Sequence, residues 1–323
     1  MLAGCYPTSG PEKGVLHVRE IPKPEPRRGE VRVRVSVSGV NPTDWKARRG
    51  ASSAQAEFIV PNQDGAGRID AVGEGVDRGR IGDRVWLYQA QWQRAHGTAA
   101  QWIALPAAQA VPLPDAASLD LGASLGIPAM TAHRCLFADG ELAERSRVLV
   151  TGGAGAVGHA AIELAVWSGA MVAATVSDDS KARLARAAGA ELVVNYRTED
   201  VANAIREWAP DGVGRIVDVD IAHNMETDTH AIGDGGAIVS YATATEPVPL
   251  TRELMVRNAQ VEFVLVYTIP AEAKRAAVAA ISAALEDEAL TTLPLHRFPL
   301  EEIAAAHDAV EGGEVGKVLV DIP

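Results

Sequence analysis

The 323-residue chain has only two cysteines, Cys5 and Cys135. Two thiols are too few for a disulfide framework or for a zinc lobe built on four thiolates. No apolar run reaches the length of a membrane span, and the N-terminus lacks the basic segment and apolar core of a signal peptide. We therefore expect a cytoplasmic protein with no membrane partner.

Positive charge is also scarce, with 30 Lys and Arg against 42 Asp and Glu and a net charge of -12. A chain this acidic repels nucleic acid and anionic membranes unless a local basic patch exists. The arginine pairs at 27–28 and 48–49 are too short to form one. Nucleic acid is therefore not expected as a partner, and the 47% of hydrophobic residues suffices for one or two domain cores.

The chain shows two successive patterns of predicted secondary structure. Up to about residue 119, short β-type runs alternate with proline and glycine turns, which predicts a barrel-like β domain with strands at 15–18, 30–37, 65–72 and 84–87. Over residues 120–266, strands and helices alternate, which predicts a doubly wound parallel sheet whose last strand is 261–266. Residues 267–323, with a predicted helix at 271–286, are expected to return and complete the β domain. The predicted fold class is therefore α/β.

A glycine turn joins the apolar run Val148–Val150 to a helical segment at 160–168. Gly153, Gly155 and Gly158 fit the G-x-G-x-x-G pattern of a dinucleotide site. The first is predicted to form the tight turn, the second to let backbone approach a pyrophosphate, and the third to let the helix pack closely on the strand. A turn of small residues with no nucleotide is the alternative.

The next strand, Met171–Val176, ends where an NAD site usually carries a carboxylate for the ribose 2′-hydroxyl. Here the strand is followed by Ser177, and Lys181 lies just beyond. A hydroxyl and a cation suit the 2′-phosphate of NADPH. The alternative is a surface turn in which residues 178–180 cap the next helix and Lys181 is solvated.

Ordered motifs along nearly the whole chain carry a family resemblance. They are Gly39–Asp44, Asp64–Gly67, Val72–Val76, Gly82–Val85, Gly126–Pro128 with Thr131 and Ala132, the glycine turn, Gly189–Ala190 and Gly316–Lys317. The set resembles the medium-chain dehydrogenase/reductase superfamily, and within it the zinc-independent, zeta-crystallin-like quinone oxidoreductases. The resemblance implies a GroES-like catalytic β-barrel domain and a Rossmann domain that form a cleft for the nicotinamide, commonly in dimers or tetramers.

The same resemblance implies the residues that bind NADPH. The pyrophosphate would be wrapped by Gly153, Gly155, Ala156, Val157 and Gly158, and the 2′-phosphate and adenosine would be contacted by Ser177, Lys181 and Tyr196. The nicotinamide and the cleft edges would be lined by Asn41, Thr131, Ser240, Tyr241, Ala242, Val266, Tyr267, Gly316 and Lys317. Packing is the alternative role for each of these; Asn41, for example, could cap the turn before Pro42.

The chain departs from the zinc alcohol dehydrogenases of the same architecture. Asn41 stands where a cysteine ligand would follow Gly-Val, and residues 62–64, Asn-Gln-Asp, stand where Gly-His-Glu would be. Because a catalytic zinc needs three protein ligands, we expect no metal. Hydride transfer would then use acceptors that need little Lewis-acid help, such as quinones and α,β-unsaturated carbonyls.

No general acid can be assigned, and the catalytic residues stay unknown. The pocket candidates are Asn41, Asp44, Lys46, Tyr88, Trp92, Arg94 and Tyr267. Relatives often carry Thr-Tyr where this chain has Trp45 and Lys46, so their pocket tyrosine is absent. The aromatic loop at 85–97 suggests a flat substrate with polar edges, although its tryptophans could equally cover the barrel core.

Three functions are compatible with these features. The leading one is an NADPH-dependent quinone oxidoreductase, and the alternative is an NADPH-dependent enone, alkenal or enoyl-thioester reductase, in which Arg48, Arg49 or Arg94 could hold a coenzyme phosphate. The third is an NADPH-binding protein without catalysis. A homodimer that pairs the strand 261–266 across a two-fold axis is expected.

Overall fold

The computed structural model describes residues 1–10, 13–51, 56–244 and 246–323. The chain divides into two compact units. The first comprises Met1–Ile127 and Thr292–Pro323, and the second comprises Pro128–Thr291. Among the described helices, none combines the length and apolar character that crossing a lipid bilayer requires.

The N-terminal part of the chain is mostly β-structure. Its elements are β1 (Leu2–Pro7), β2 (His17–Glu20), β3 (Glu30–Gly39), α1 (Pro42–Lys46), β4 (Phe58–Ile59), β5 (Asp64–Val72), β6 (Arg84–Leu87), β7 (Trp102–Pro106), β8 (Ala110–Pro112) and α2 (Leu119–Phe137). In β3 the valines at 31, 33 and 35 are buried while Arg34 between them is exposed, which is the alternation expected of a strand with one face on a core. Short helical turns cover Ala47–Ala51, Arg78–Arg80 and Ala107–Gln109.

The middle of the chain alternates strands and helices. Its elements are β9 (Arg147–Val150), α3 (Ala156–Trp167), β10 (Met171–Val176), α4 (Asp179–Ala187), β11 (Leu192–Asn195), α5 (Val201–Trp208), β12 (Val213–Asp218), α6 (Ile221–Ala231), β13 (Ile232–Ser240), α7 (Arg252–Val256), β14 (Gln260–Phe263) and α8 (Ala271–Glu286). Val148, Leu149 and Val150 are fully buried, as in a central parallel strand covered on both faces.

The C-terminal part adds β15 (Leu295–Pro299), a helical turn at Leu300–Glu302, α9 (Ile303–Glu311) and β16 (Lys317–Asp321). These strands join the first unit, whose larger sheet has the order β15-β16-β3-β5-β6-β8, with β7 also paired to β3. A three-stranded sheet, β2-β1-β4, completes the β-structure described for this unit. The return of the chain places Lys317 beside the end of β3, because Leu319 pairs with Gly39.

The second unit is built on one six-stranded sheet with the order β11-β10-β9-β12-β13-β14, and all of its pairings are parallel. The chain therefore moves outward from β9 in one direction and restarts beside it at β12. This arrangement is the predicted doubly wound sheet, and its ligand crevice is expected where the strand order reverses, at the carboxyl ends of β9 and β12. The strand β14 lies at the edge, as predicted.

Several predicted boundaries were wrong. The strand predicted at 15–18 is β2 at His17–Glu20, because Gly14, with φ of 78°, holds a turn and His17 is the first residue of the strand to pair, with Cys5. The strand predicted at 261–266 ends at Phe263, and the chain then turns as the Thr268 N–H donates to the Leu265 carbonyl.

The division into units differs from the predicted segments 1–119, 120–266 and 267–323. Residues 120–127 belong to the first unit, where the Ile127 N–H donates to Asp64 over 2.8 Å. The helix α8, predicted to complete the β domain, belongs to the second unit. Its end is tied to α3, because Trp167 Nε1 donates to Asp287 over 2.9 Å and the Thr291 N–H donates to Glu163 over 3.1 Å.

Candidate functional site

The glycine turn between β9 and α3 is shaped by close contacts that exclude side chains. A Cβ on Gly158 would lie 2.3 Å from the Gly152 carbonyl oxygen, and one on Gly153 would lie 2.8 Å from the Ala174 side chain. At Gly155 a Cβ would meet only the Gly152 carbonyl, at 3.4 Å. Gly155 therefore marks the open side of the turn, where a ligand can approach the backbone.

The turn depends on one glycine more than the motif predicts, because it includes Gly152 as well as Gly153. The left-handed residue is Gly152, with φ of 67°, whereas Gly153 lies against the buried side chains of Ala174 and Ile162. The sequence pattern assigned the tight turn to Gly153 because the motif counts from that residue. The glycine doublet at 152–153 was the signal that a further position needed the freedom of glycine.

The start of α3 offers donors to an anion. Gly155 is the N-cap, and the helix begins at Ala156. The first N–H groups of a helix have no partner within it, and its dipole adds partial positive charge there. The N–H groups of Ala156, Val157 and Gly158, beside the side-chain-free Gly155, therefore fit a pyrophosphate.

Two threonines hold this turn at the carboxyl ends of the central strands. Thr151 Oγ1 donates to Asp218 over 3.0 Å and accepts from the Val219 N–H over 2.9 Å. Thr175 accepts from the Gly152 N–H through its hydroxyl and from the Gly153 N–H through its carbonyl. The turn is thus attached to β12 on one side and to β10 on the other, which fixes it at the point where the strand order reverses.

The predicted 2′-phosphate residues lie together. Lys181 Nζ donates to Ser177 Oγ over 2.8 Å. Tyr196 follows β11, its N–H donates to the Val176 carbonyl, and its side chain is 54% exposed. A hydroxyl, an ammonium and an accessible aromatic ring therefore share one edge of the sheet, which fits a phosphorylated adenosine.

The carboxylate of Asp178 accepts hydrogen bonds from neighbouring residues of the protein. It caps α4 by accepting from the Lys181 N–H over 3.0 Å, and it also accepts from the hydroxyls of Ser180 and Ser177. These hydrogen bonds, the one from Ser180 first, hold the pKa of Asp178 at about 2. The capping role considered from the sequence is therefore correct for Asp178.

The other predicted cofactor residues of the second unit are less accessible. Thr131, Ser240, Val266 and Tyr267 are all buried. Ser240 ends β13, and its carbonyl accepts from the Val264 N–H. The Ser240 hydroxyl is directed toward the Ala242 carbonyl, 3.5 Å away, which bends the chain just after the strand. Burial, with the nearby Cys135 and Asp218, raises the pKa of Tyr241, so its hydroxyl faces inward.

In the first unit, Asn41, Asp64 and Lys317 form a buried polar cluster. Lys317 Nζ donates to Asn41 Oδ1 over 2.8 Å and to the Val40 carbonyl over 3.2 Å, and it lies 3.8 Å from Asp64 Oδ2. Asn41 Nδ2 donates to the same Asp64 oxygen over 2.7 Å. Asp44 adjoins the cluster, since it accepts from the Asn41 N–H over 2.7 Å at the start of α1.

The charges of this cluster balance when Asp44 holds a proton. Burial first, and then the Asp64 carboxylate, raise the pKa of Asp44 to about 8 against the lowering effects of the Asn41 N–H and Lys317. Burial also raises the pKa of Asp64, to about 6, against the lowering effect of Lys317. Burial lowers the pKa of Lys317, which the two carboxylates counteract. With Asp44 protonated, the Lys317 ammonium and the Asp64 carboxylate, 3.8 Å apart, balance each other.

Further hydrogen bonds extend from the cluster, and the sequence did not reveal them. Thr98 Oγ1 donates to the Asp64 carbonyl over 2.5 Å and contacts Ser38 Oγ, which accepts from Asn62 Nδ2. His307 Nε2 lies 2.9 Å from Asn62 Oδ1, and burial lowers the pKa of His307 to about 3, so the ring is neutral. These residues are distant in sequence and match no motif, so only the fold brings them together.

The remaining pocket candidates of the first unit are Arg94, Tyr88, Trp92 and Lys46. Arg94 donates to the Gln89 carbonyl over 3.0 Å and to Gln109 over 2.8 Å. Tyr88 is buried beside the fully buried Trp86, with ring centroids 5.8 Å apart. Trp92 is half-buried, and Lys46 is exposed with its ammonium 5.7 Å from the Trp45 ring. The core-covering interpretation therefore holds for Trp86.

A zinc ion does not fit the donor set in the part of the chain that the structure describes. Among the described residues, no group of three His, Cys, Asp or Glu side chains could hold a metal ion. Asn41 and Asp64 lie at positions where the zinc enzymes carry ligands. Here Asn41 Oδ1 accepts a hydrogen bond from the Lys317 ammonium, and the Asp64 carboxylate forms an ion pair with the same ammonium. A cation already neutralises this cluster.

Comparison with known proteins agrees with this architecture. The model of the alcohol dehydrogenase GroES-like domain matches residues 27–115, and that of the zinc-binding dehydrogenase matches residues 156–283. An alcohol dehydrogenase of Geobacillus stearothermophilus is 30% identical over 262 residues, covering 74% of this chain and 77% of that protein. The chain belongs to the medium-chain dehydrogenase/reductase superfamily.

Several relatives of the chain within this superfamily are quinone oxidoreductases. The quinone oxidoreductase of Rattus norvegicus is 28% identical over 316 residues, covering 96% of this chain and 94% of that protein. A mycobacterial protein solved in complex with NADPH is 28% identical, with a TM-score of 0.84 and coverage of 99% of this chain and 100% of the other. The predicted fold class, a GroES-like domain and a Rossmann domain, is confirmed.

The cluster predicts how stability depends on pH. The folded-state pKa of Asp44, about 8, lies above its ordinary value of 3.8, so folding favours the protonated form. The stability that this proton provides is complete below about pH 4 and is lost as the pH rises toward 8, by up to about 1.4 kcal/mol per pH unit. Asp44→Asn, which keeps the shape without titrating, should flatten this decline in urea unfolding followed across the same window.

The control is Asp70→Asn in the same unit. Burial alone would raise the pKa of Asp70, but hydrogen bonds from Arg32 and Lys23 lower it. Its removal should therefore cost stability at neutral pH and leave the decline between about pH 4 and 8 in place. An unchanged decline in Asp44→Asn would contradict the assignment of the proton.

Proposed function

We propose that the protein is an NADPH-dependent quinone oxidoreductase that works without a metal ion. The observation that carries this proposal is the buried cluster of Asn41, Asp64 and Lys317, which places amide and ammonium donors where zinc-dependent members of the superfamily place ligands. Without a Lewis acid, the acceptor must itself stabilise the charge that arrives with a hydride. A quinone does so, because the charge spreads onto oxygen as a phenolate.

NADPH binding is supported by the second unit. The glycine turn and the start of α3 fit the pyrophosphate, and Ser177, Lys181 and Tyr196 fit the 2′-phosphate and adenine. NADH is less well supported, because β10 ends in Val176 and is followed by Ser177, whereas an NAD site usually carries a carboxylate there for the ribose 2′-hydroxyl. The mycobacterial relative in complex with NADPH agrees with this choice.

The reaction consumes NADPH, a proton and a quinone and yields NADP⁺ and a hydroquinone. NADPH, when bound, supplies the hydride. The protein's contribution is to hold the acceptor in place and to donate hydrogen bonds to the oxygen that becomes negative. Asn41 is the proposed donor, because only one of the two N–H bonds on Nδ2 is used by Asp64. Water supplies the proton.

Enones and alkenals are the second class of acceptor, since their charge moves onto oxygen as an enolate. Enoyl thioesters are less well supported, because the arginines considered for a coenzyme phosphate have partners. Arg48 donates to the Gly14 carbonyl and pairs with Asp308, Arg49 pairs with Glu311, and Arg94 binds Gln89 and Gln109. Each would have to break a protein contact to hold a phosphate.

The proposal predicts which acceptors are reduced. NADPH oxidation, followed by absorbance with a chelator present, should proceed with a panel of quinones and be slow or absent with enones and an enoyl thioester. Turnover of enones alone would move the chain to the second class of acceptor. Tight NADPH binding with no turnover of any acceptor would instead favour a nucleotide-binding protein without catalysis.

The cofactor assignment predicts a selective loss. Lys181→Ala should weaken NADPH binding by about 10- to 100-fold, because a charge-assisted hydrogen bond to the 2′-phosphate is removed, and should change NADH binding little. Arg183→Ala, an exposed position on the same helix, is the matched control and should change neither. Titration of the nucleotide fluorescence measures both. Equal losses for the two nucleotides in Lys181→Ala would count against NADPH.

We also propose that the protein is a homodimer. The edge strand β14 carries Phe263, which is 70% exposed, and exposed Leu265 follows it. Met255 and Val256, on α7 just before this strand, are also largely exposed. An apolar, unpaired sheet edge is the kind of surface that a second copy covers by antiparallel pairing across a two-fold axis.

The dimer predicts a specific dissociation. Sedimentation of the wild type should give twice the chain mass of 33.9 kDa, and Phe263→Lys should give the single chain mass because the charge would be buried at the pairing edge. Val15→Lys, at an exposed apolar residue of the first unit, should remain dimeric. A monomeric wild type would remove the proposal.

A further inference from the structure

We infer that Lys317 is a positioning residue that, by donating to Asn41 Oδ1 while Asp64 accepts from Asn41 Nδ2, orients the side-chain amide of Asn41 toward the acceptor. This inference rests on the proposed function, because it assigns to Asn41 the hydrogen bond that stabilises the developing oxyanion. It also replaces the role suggested by the family resemblance, in which Lys317 lies at an edge of the cofactor cleft. In the structure Lys317 is 3% exposed, and its ammonium donates to the Val40 carbonyl and to Asn41 Oδ1.

The orientation of the amide follows from the donor and acceptor chemistry of its neighbours. An ammonium can only donate, so the atom 2.8 Å from Lys317 Nζ must be the Asn41 oxygen. An ionised carboxylate can only accept, so the atom 2.7 Å from Asp64 Oδ2 must be the Asn41 nitrogen. Rotating the amide by half a turn would bring two donors together on one side and two acceptors together on the other.

The two ions are themselves fixed. Asp64 Oδ1 accepts from the Ile127 N–H over 2.8 Å, and the Asp64 carbonyl accepts from Thr98 Oγ1. A Cβ on Gly126 would lie only 2.2 Å from Asp64 Oδ1, so the backbone of α2 closes directly over the carboxylate. Lys317 is held by the Val40 carbonyl as well as by Asn41. Neither ion can move without breaking several buried contacts.

The arrangement also affects the strength of the remaining N–H bond of Asn41. The ammonium at Oδ1 draws electron density through the amide, so that the nitrogen becomes a better donor. Because Asn41 is buried, water competes little for that bond. The ammonium thus contributes positive charge behind the amide, without touching the acceptor itself.

The experiment compares Lys317→Met, Asn41→Ala and the combination of both. Each single variant should lower kcat with a quinone by about 100-fold, the size expected for one oxyanion donor. The combination should be no slower than Asn41→Ala alone, because Lys317 acts through Asn41. The dissociation constant of NADPH should stay within about twofold of the wild type in all three. Multiplicative losses, or weaker NADPH binding with unchanged kcat, would overturn the inference.

Further variants separate this role from stability. Lys317→Met leaves a buried carboxylate unpaired and could unfold, so Lys317→Met combined with Asp64→Asn removes both charges and keeps the volume. This variant should fold, as judged by calorimetry, and still show the loss of kcat. Arg32→Met, which breaks the Arg32–Asp70 ion pair in the same unit, is the matched control and should keep full activity.

A binding measurement covers the case in which the wild type reduces no acceptor and the proposed function fails. Binding of 4-nitrophenolate, a phenolate that accepts no hydride, is followed by its absorbance in the presence of NADP⁺. The inference expects binding to weaken by about 10-fold or more in both Asn41→Ala and Lys317→Met. Equal binding of the phenolate by the wild type and both variants would overturn it whether or not turnover is seen.

Discussion

A buried ammonium needs a negative partner, and in this protein that requirement organises the centre of the first unit. Lys317 lies at the start of the last strand, within reach of Asn41 and Asp64, which come from different parts of the chain. Without the ammonium, the Asp64 carboxylate would be an uncompensated charge in a low-dielectric environment. Burial and the Asp64 carboxylate together favour the protonated form of Asp44, so this neighbour adds no second negative charge.

In the second unit, the backbone N–H groups at the start of α3 must remain accessible so that they can bind an anion. The glycines at the start of α3 keep side chains away from the helix N-terminus, and Thr151 and Thr175 hold the turn without covering it. Ser177 and Lys181 lie just after the neighbouring strand β10, where they provide a hydroxyl and an ammonium. Asn41, Asp64 and Lys317 of the first unit bind one another, whereas the first N–H groups of α3 are available to a ligand.

Much of the architecture could be predicted from the sequence because it follows from local patterns. The alternation of strands and helices after residue 120 and the glycine motif are short-range signals, and β10 and α8 lie where they were expected. The ends of elements were less predictable, since they depend on long-range contacts. The position of α8 in the second unit, for example, depends on Trp167 and Glu163 more than 100 residues earlier.

The candidate site divides in the same way. Ser177 and Lys181 are four residues apart on one turn, so their pairing could be predicted. The partners of Lys317 could not, because nothing near residue 317 indicates that its ammonium is buried against residues 41 and 64. The close contact between Gly126 and Asp64 restricts which residue position 126 can accept. A Cβ on Gly126 would lie 2.2 Å from Asp64 Oδ1 and 2.7 Å from the Leu87 carbonyl oxygen, so alanine at this position would displace the carboxylate that pairs with Lys317.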